Sequence, residues 1–269
     1  LFCAFFFLFS GLKSPLKEIQ NFELSGNKGA VLLLDAQTGQ TLFSYGGALL
    51  DQVFPAGSLI KPFLLLALDN LGHKVEKKPF FCSGFKSYED LNKICWVQEG
   101  HKQVNLWQAM AYSCNSYFYE KIAKKLSFNA LNKVLNQFQI NQNFSKTPLS
   151  LQDFYKAAIG LDGVFQTTPR SILLAYMALL NGGMLFDKTG KKIAQINLPF
   201  LVLEDIKQGL RGAFLFGTAS KLKDFKPIEE GLAKTGTGGV SWRITTGWLV
   251  LLWPTENPQY ALMTLSRPG

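Results

Sequence analysis

Histidine is nearly missing from this chain. His73 and His101 are the only two. A nucleophile that depends on a histidine base would have to use one of them, and a zinc site built from imidazoles lacks the ligands. The four cysteines, Cys3, Cys82, Cys95 and Cys114, show no C-x-x-C spacing, which argues against zinc and thioredoxin-like chemistry. There is no metal-ligand pattern and no cofactor fingerprint. Lysine and arginine exceed aspartate and glutamate to give a net charge of +9, yet no basic block is long enough to form a nucleic-acid arm. The excess reads as a basic solvated surface, or as attraction to an anionic surface at the cell envelope. Internal repeats and low-complexity stretches are absent. The apolar run at residues 1–11 is too short to span a bilayer, which needs about 20 residues. It fits the apolar part of an export signal or the end of a membrane anchor, with residues 12–28 as a tether. The chain therefore divides into 1–28, a leader or anchor remnant with its tether, and 29–269, one domain.

What is present is organised around Phe54-Pro-Ala-Gly-Ser58-Leu-Ile-Lys61-Pro62. Pro55 and Gly57 punctuate the chain, and the apolar run 63–68 reads as a buried helix that begins here. Residues three apart on a helix share a face, so Lys61 can meet the Ser58 hydroxyl. Ser-x-x-Lys alone is a weak signal, since it begins at Ser10, Ser14, Ser25, Ser58, Ser83 and Ser220. Order and context supply the discrimination. Ser113-Cys114-Asn115 follows in an aromatic helical setting, and Lys234-Thr235-Gly236-Thr237 follows that in strand-like sequence. Competing matches fail on order or setting. Lys188-Thr189-Gly190, for example, lies in a polar stretch that reads as a hairpin turn.

Around these motifs the periodicity is mixed. Residues 29–35 and 41–45 read as an antiparallel pair. Helical spacing recurs at 106–112, 117–126, 130–138, 150–159, 169–180 and 201–214. From Gly231 the pattern is β, with 246–253 and 260–265 completing a meander. Residues 72–103 read as irregular. The expectation is an α+β domain of two lobes: an antiparallel sheet drawn from both ends of the chain and flanked by helices, a helical subdomain between, and the site at their seam.

Ser-x-x-Lys, Ser-x-Asn and Lys-Thr-Gly in that order are the signature of the penicillin-binding proteins and serine β-lactamases. The chain resembles the transpeptidase domain of class B penicillin-binding proteins over residues 29–269. Cys95-Trp96, Gly100-His101 and Ser113-Cys-Asn-Ser-Tyr-Phe-Tyr119 look most like the elongation type. Thr168-Pro169, Asn181-Gly-Gly183, Gly217-Thr-Ala219 and Gly247-Trp248 match flanking positions. Ala233 and Lys102 depart from the pattern, each standing where glycine is usual.

The resemblance implies a β-lactamase/transpeptidase-like fold and an acyl-enzyme mechanism without a cofactor. Ser58 would be the nucleophile, Lys61 its base and Ser113 the proton relay. Asn115, Lys234, Thr235, Gly236 and Thr237 would bind substrate. Lys61 must be neutral, and burial or a neighbouring Lys234 cation would lower its pKa. The implied partners are peptidoglycan stem peptides, β-lactam antibiotics and a membrane glycosyltransferase, on the outer side of a bacterial cytoplasmic membrane, with no nucleic acid. A β-lactamase is the alternative enzyme. The glutamate that deacylation would need occurs in a Glu-x-x-Asn pattern only at Glu89, ahead of the second motif. A non-catalytic β-lactam or wall-fragment sensor, or a degenerate scaffold, is the alternative outside enzymes. Cys82 and Cys95 bracket a polar loop, as a disulfide or as two thiols. Cys114 should point away from the site, and His101 reads as structural.

Overall fold

The structure, a computed structural model, describes residues 28–267 except 77, 88–89, 141, 145–148, 162, 225–227 and 242–243. The expected leader and tether, Glu89 and Trp242 lie outside the described residues. Five strands form the main sheet: β1 (Lys28–Asp35), β2 (Thr41–Tyr45), β3 (Leu232–Ser241), β4 (Ile244–Trp253) and β5 (Tyr260–Arg267). Their order is β3-β4-β5-β1-β2, antiparallel throughout. The two ends of the chain thus meet at β1–β5, as the strand patterns at each end require.

The run Ala30-Val-Leu-Leu-Leu34 shows no polar alternation because both faces of β1 are covered. Leu32 and Leu34 join the main core, and Leu33 packs with Phe214, Leu251 and Leu262 in a smaller cluster on the other side. A strand buried on both faces reads as a continuous apolar run.

Seven helices are used below: α1 (Lys61–Asn70), α2 (Leu106–Ala111), α3 (Asn115–Lys121), α4 (Phe128–Gln137), α5 (Leu151–Ile159), α6 (Pro169–Leu180) and α7 (Phe200–Leu215). Residues 61–68 of α1 are all buried, so this helix is the axis on which the lobes meet. Helix starts follow their caps. Ser127, Ser150 and Thr168 each accept a backbone N–H through the side chain, and Asn105 forms a reciprocal capping box with Gln108.

Three local expectations are refined. Ser58 does not sit in the α-helix. Gly57–Ile60 is a 3-10 turn, and the α-helix opens at Lys61 with Pro62 in its first turn. The helical stretches expected at 106–112 and 117–126 are separated by Ser113, whose φ is +54°, and the second begins earlier than expected, at Asn115. The irregular stretch 72–103 carries a short antiparallel pair, Phe80–Cys82 with Lys102–Val104, and a bridge between Phe85 and Ile94. Lys188-Thr189-Gly190 is a hairpin turn, as its composition implied. Asp187 Oδ1 accepts from the Thr189 and Lys191 amides between two short strands. Among the described residues, no helix is long and apolar enough to cross a membrane.

Candidate active site

The segment before α1 is held from several sides. The Pro55 carbonyl accepts hydrogen bonds from Thr246 Oγ1 at 2.7 Å and Trp248 Nε1 at 2.8 Å. The buried Tyr176 hydroxyl donates to the Leu59 carbonyl at 2.8 Å. Gly57 has φ +59°, and a Cβ there would fall 2.4 Å from the Thr237 carbonyl oxygen. The nucleophile turn therefore lies directly against β3. A 3-10 turn eclipses positions i and i+3, and Lys61 Nζ stands 3.0 Å from Ser58 Oγ.

The break between α2 and α3 delivers the second motif. Ser113 adopts a left-handed conformation that a non-glycine residue holds only when its surroundings impose it. Lys61 Nζ donates to the Ser113 carbonyl at 2.9 Å and to Asn115 Oδ1 at 2.7 Å, and stands 3.2 Å from Ser113 Oγ. From the edge strand β3, Lys234 Nζ reaches the same Ser113 Oγ at 2.9 Å and its neighbour's carbonyl, Thr235 O, at 2.8 Å. Thr235 Oγ1 bonds Thr218 Oγ1 at 2.7 Å. Gly236 permits the approach of β3, since a Cβ there would fall 2.5 Å from the Ala56 carbonyl. Thr237 is exposed.

Both lysines are completely buried. Among the described residues no carboxylate pairs with either. Burial lowers the pKa of Lys61 to about 8, against a smaller upward pull from Cys114 and Cys95. Lys234 is lowered by burial and then by repulsion from Lys61. Burial thus dominates at Lys61, and the lysine–lysine repulsion falls on Lys234. A neutral amine fits the partners of Lys61. An ammonium has only donors, while Lys61 has two carbonyl acceptors plus the Ser58 and Ser113 hydroxyls. A neutral amine gives its two N–H groups to the carbonyls and turns its lone pair to the Ser58 hydroxyl.

A serine–lysine pair, a hydroxyl bridging two lysines and a glycine-opened edge strand now stand in one seam. A sequence profile of the penicillin-binding protein transpeptidase domain matches residues 29–267.

The chain belongs to the penicillin-binding protein transpeptidase family.

Solved members share its fold at low identity. PBP2 from Helicobacter pylori has a TM-score of 0.77 and 21% identity, over 95% of this chain and 58% of its own. Pseudomonas aeruginosa PBP2, solved with WCK 5153, gives 0.74 and 20% over 94% and 72%. The TP domain of penicillin-binding protein 3 from Burkholderia pseudomallei gives 0.71 and 16% over 89% and 80%. No curated protein sequence matches. This chain thus spans 58% of the length of the H. pylori protein.

Beside the site this transpeptidase domain holds a cluster that the sequence did not announce. Cys82, Cys95, His101 and Cys114 place one donor atom each within 4.8 Å of one another. Of the two alternatives for Cys82 and Cys95, the structure has two buried free thiols, converging on His101 Nδ1 at 3.7 and 3.2 Å. Cys114 does point away from the cleft, but into this cluster, with its sulfur 3.8 Å from Cys95 Sγ. These four side chains gather without any C-x-x-C spacing. The strand pair at Cys82–Lys102 and the bridge at Ile94 gather ligands that lie apart in sequence. The set could hold a metal. Two sulfurs about 2.3 Å from a tetrahedral zinc ion stand about 3.8 Å apart, the spacing of Cys95 and Cys114. Hydrogen bonds from Cys114 hold Cys82 and Cys95 below the usual thiol range and push Cys114 above it. A metal ion would displace that retained proton.

Tyr176 and Thr246 were given no role by the sequence reading, and Thr218 and Trp248 appeared there only as flanking positions. Each acts by fixing backbone or a neighbouring hydroxyl, and their types carried no catalytic signal.

Proposed function

We propose that this domain is a serine D,D-transpeptidase that acylates on Ser58 with peptidoglycan stem peptides ending in D-Ala-D-Ala. The observation that carries the reading is the placement of Lys61 Nζ, 3.0 Å from Ser58 Oγ with both its N–H groups engaged by carbonyls. Neutral Lys61 takes the Ser58 proton as Oγ attacks the penultimate D-Ala carbonyl. Backbone N–H groups of Ser58 and Thr237 receive the oxyanion. Lys234, Thr235 and Thr237 hold the terminal carboxylate, and Asn115 orients Lys61 and the substrate amide. Ser113 passes the proton to the departing D-Ala amine. The acyl-enzyme is resolved by an amine, which forms a cross-link, or by water, which trims the stem. A β-lactam acylates Ser58 in the same way and stays bound. The substrate polymer places the domain outside the cytoplasmic membrane, beside the glycosyltransferase that makes the strands.

The cluster of Cys82, Cys95, His101 and Cys114 would hold zinc as a structural ion. It would supply no step of acyl transfer. It would fix Cys114, and with it the backbone that presents Ser113 and Asn115. Purified protein is expected to carry about one equivalent of zinc by elemental analysis, and Cys95→Ser to carry far less. Retention of full zinc by Cys95→Ser would contradict this assignment.

The substrate reading is tested with a diacyl-Lys-D-Ala-D-Ala peptide. The wild type is expected to release D-Ala and Ser58→Ala to release none. A folded wild type that takes up penicillin but never D-Ala peptides would favour a sensor instead.

A further inference from the structure

A row of aromatic rings lies beside the chain break at Ser113. Trp96 is 60% exposed and Phe216 49% exposed. Between them His101 stacks on Tyr112 at 5.3 Å, Trp96 meets His101 at 5.6 Å, and Phe216 meets Tyr112 at 5.6 Å. The row is fixed to the catalytic backbone. Trp96 Nε1 donates to the carbonyl of Tyr112, the residue before Ser113. The Thr218 amide donates to the Ala111 carbonyl at 3.1 Å, which holds the loop carrying Phe216 against α2. Because Thr218 also bonds Thr235, this loop closes the rim from Ser113 to β3.

Resting on the transpeptidase reading, we infer that this row binds the acceptor: the side-chain primary amine of a second stem peptide, arriving as an alkylammonium. The argument is microscopic reversibility. Ser113 protonates the departing amine, so an amine that attacks the acyl-enzyme must enter where that amine left, and lose its proton along the same path. The departing D-Ala lies between Ser113 and the carboxylate-binding Thr235. Trp96, bonded to the Tyr112 carbonyl next to Ser113, and Phe216, two residues before the Thr218 that bonds Thr235, stand at the two ends of that gap. Aromatic faces attract an alkylammonium through the ring quadrupole and cover its methylenes. The ammonium then gives one proton to solvent. The neutral amine nitrogen attacks the ester carbonyl, the new C–N bond forms, and the C–Oγ bond to Ser58 breaks. The second amine proton returns to Ser58 Oγ through Ser113 and Lys61.

The test separates the acceptor from the donor step. The acyl-enzyme is generated from a D-Ala-D-Ala peptide in the presence of an alkylamine acceptor, Nα-acetyl-lysine, and aminolysis is measured against hydrolysis. Benzylpenicillin acylation is followed in parallel. Trp96→Ala and Phe216→Ala are each expected to cut the aminolysis-to-hydrolysis ratio about tenfold, while Trp96→Phe retains most of it. Acylation by penicillin, which involves no acceptor, should change less than about twofold, which sets binding apart from mere support of Ser113. An unchanged ratio in both alanine variants would overturn the inference while leaving the transpeptidase reading intact. So would a parallel fall in acylation in both, which would make the row structural. A wild type that forms no acyl-enzyme at all would overturn both.

Discussion

Lys61→Ala is expected to slow acylation of Ser58 by benzylpenicillin about 10³-fold while the domain remains folded. The magnitude is that of a positioned general base. Among the described residues Lys61 Nζ is the nitrogen that meets Ser58 Oγ, while Lys234 Nζ reaches Ser113 Oγ and the Thr235 carbonyl. The variant leaves the Ser113 carbonyl and Asn115 Oδ1 short of a donor, but it also removes a buried amine, so its thermal stability should stay near that of the wild type. The same base sets the pH dependence. Burial lowers the Lys61 pKa to about 8. Below that pH the lysine is protonated and cannot accept the Ser58 proton. Acylation should therefore rise about tenfold per pH unit from pH 6 and level off as pH passes 8. The apparent second-order rate constant, measured from pH 6 to 9, checks both statements. A flat profile, or a Lys61→Ala rate within tenfold of wild type, would remove lysine from the mechanism.

The second large effect is expected at a residue with no side chain. Gly57→Ala should destabilise the domain by about 2–3 kcal/mol and reduce acylation by orders of magnitude. Two costs coincide. The φ of +59° is unfavourable for alanine, and the added Cβ would press on the β3 backbone at Thr237 O, 2.4 Å away. Relief requires the Ser58 turn to back away from Thr237, which separates the two amides proposed for the oxyanion. For a domain of this size the melting temperature should fall by roughly 5–10 °C. Gly47→Ala is the control, since a Cβ there meets nothing within 4 Å. It should change neither quantity. Equal behaviour of the two variants would mean that contact between the turn and β3 is not needed.

Much of this was legible before any coordinates. The three motifs carry their own spacing rules, so Ser58, Lys61, Ser113, Asn115 and Lys234 were named from residue type and order, and the structure brings them into one seam. The sheet was legible for a different reason: apolar runs at both chain ends leave few ways to bury themselves except against each other. The helix boundaries moved where a backbone property outweighed pattern. Ser58 lies in a 3-10 turn that follows the left-handed Gly57, and the helix expected at 117–126 starts at Asn115, just after the left-handed Ser113. Neither shift is written in hydrophobic periodicity.

The cluster at Cys82 was illegible because its ligands come from separate elements. Each sits at a position set by strand pairing rather than by a local motif. Stretch 72–103 looked irregular because its strands are only three residues long. Lys102 shows the same limit: it stands where glycine is usual in the family it resembles, and its φ is +59°. The sequence carried the departure but not the geometry that gives it meaning. The anchoring roles of Tyr176 and Trp248 escaped for another reason, since buried aromatics are ordinary core residues until their polar ends are seen to meet the Leu59 and Pro55 carbonyls.

The central claim is a covalent intermediate on one hydroxyl, and intact-protein mass spectrometry after incubation with benzylpenicillin tests it most directly. The account predicts a mass increase of one penicilloyl group that persists for minutes, maps by peptide digestion to Ser58, and is lost in Ser58→Ala. Contradiction would come from a folded wild-type protein that gains no mass, or from an adduct that maps elsewhere and survives the Ser58→Ala change.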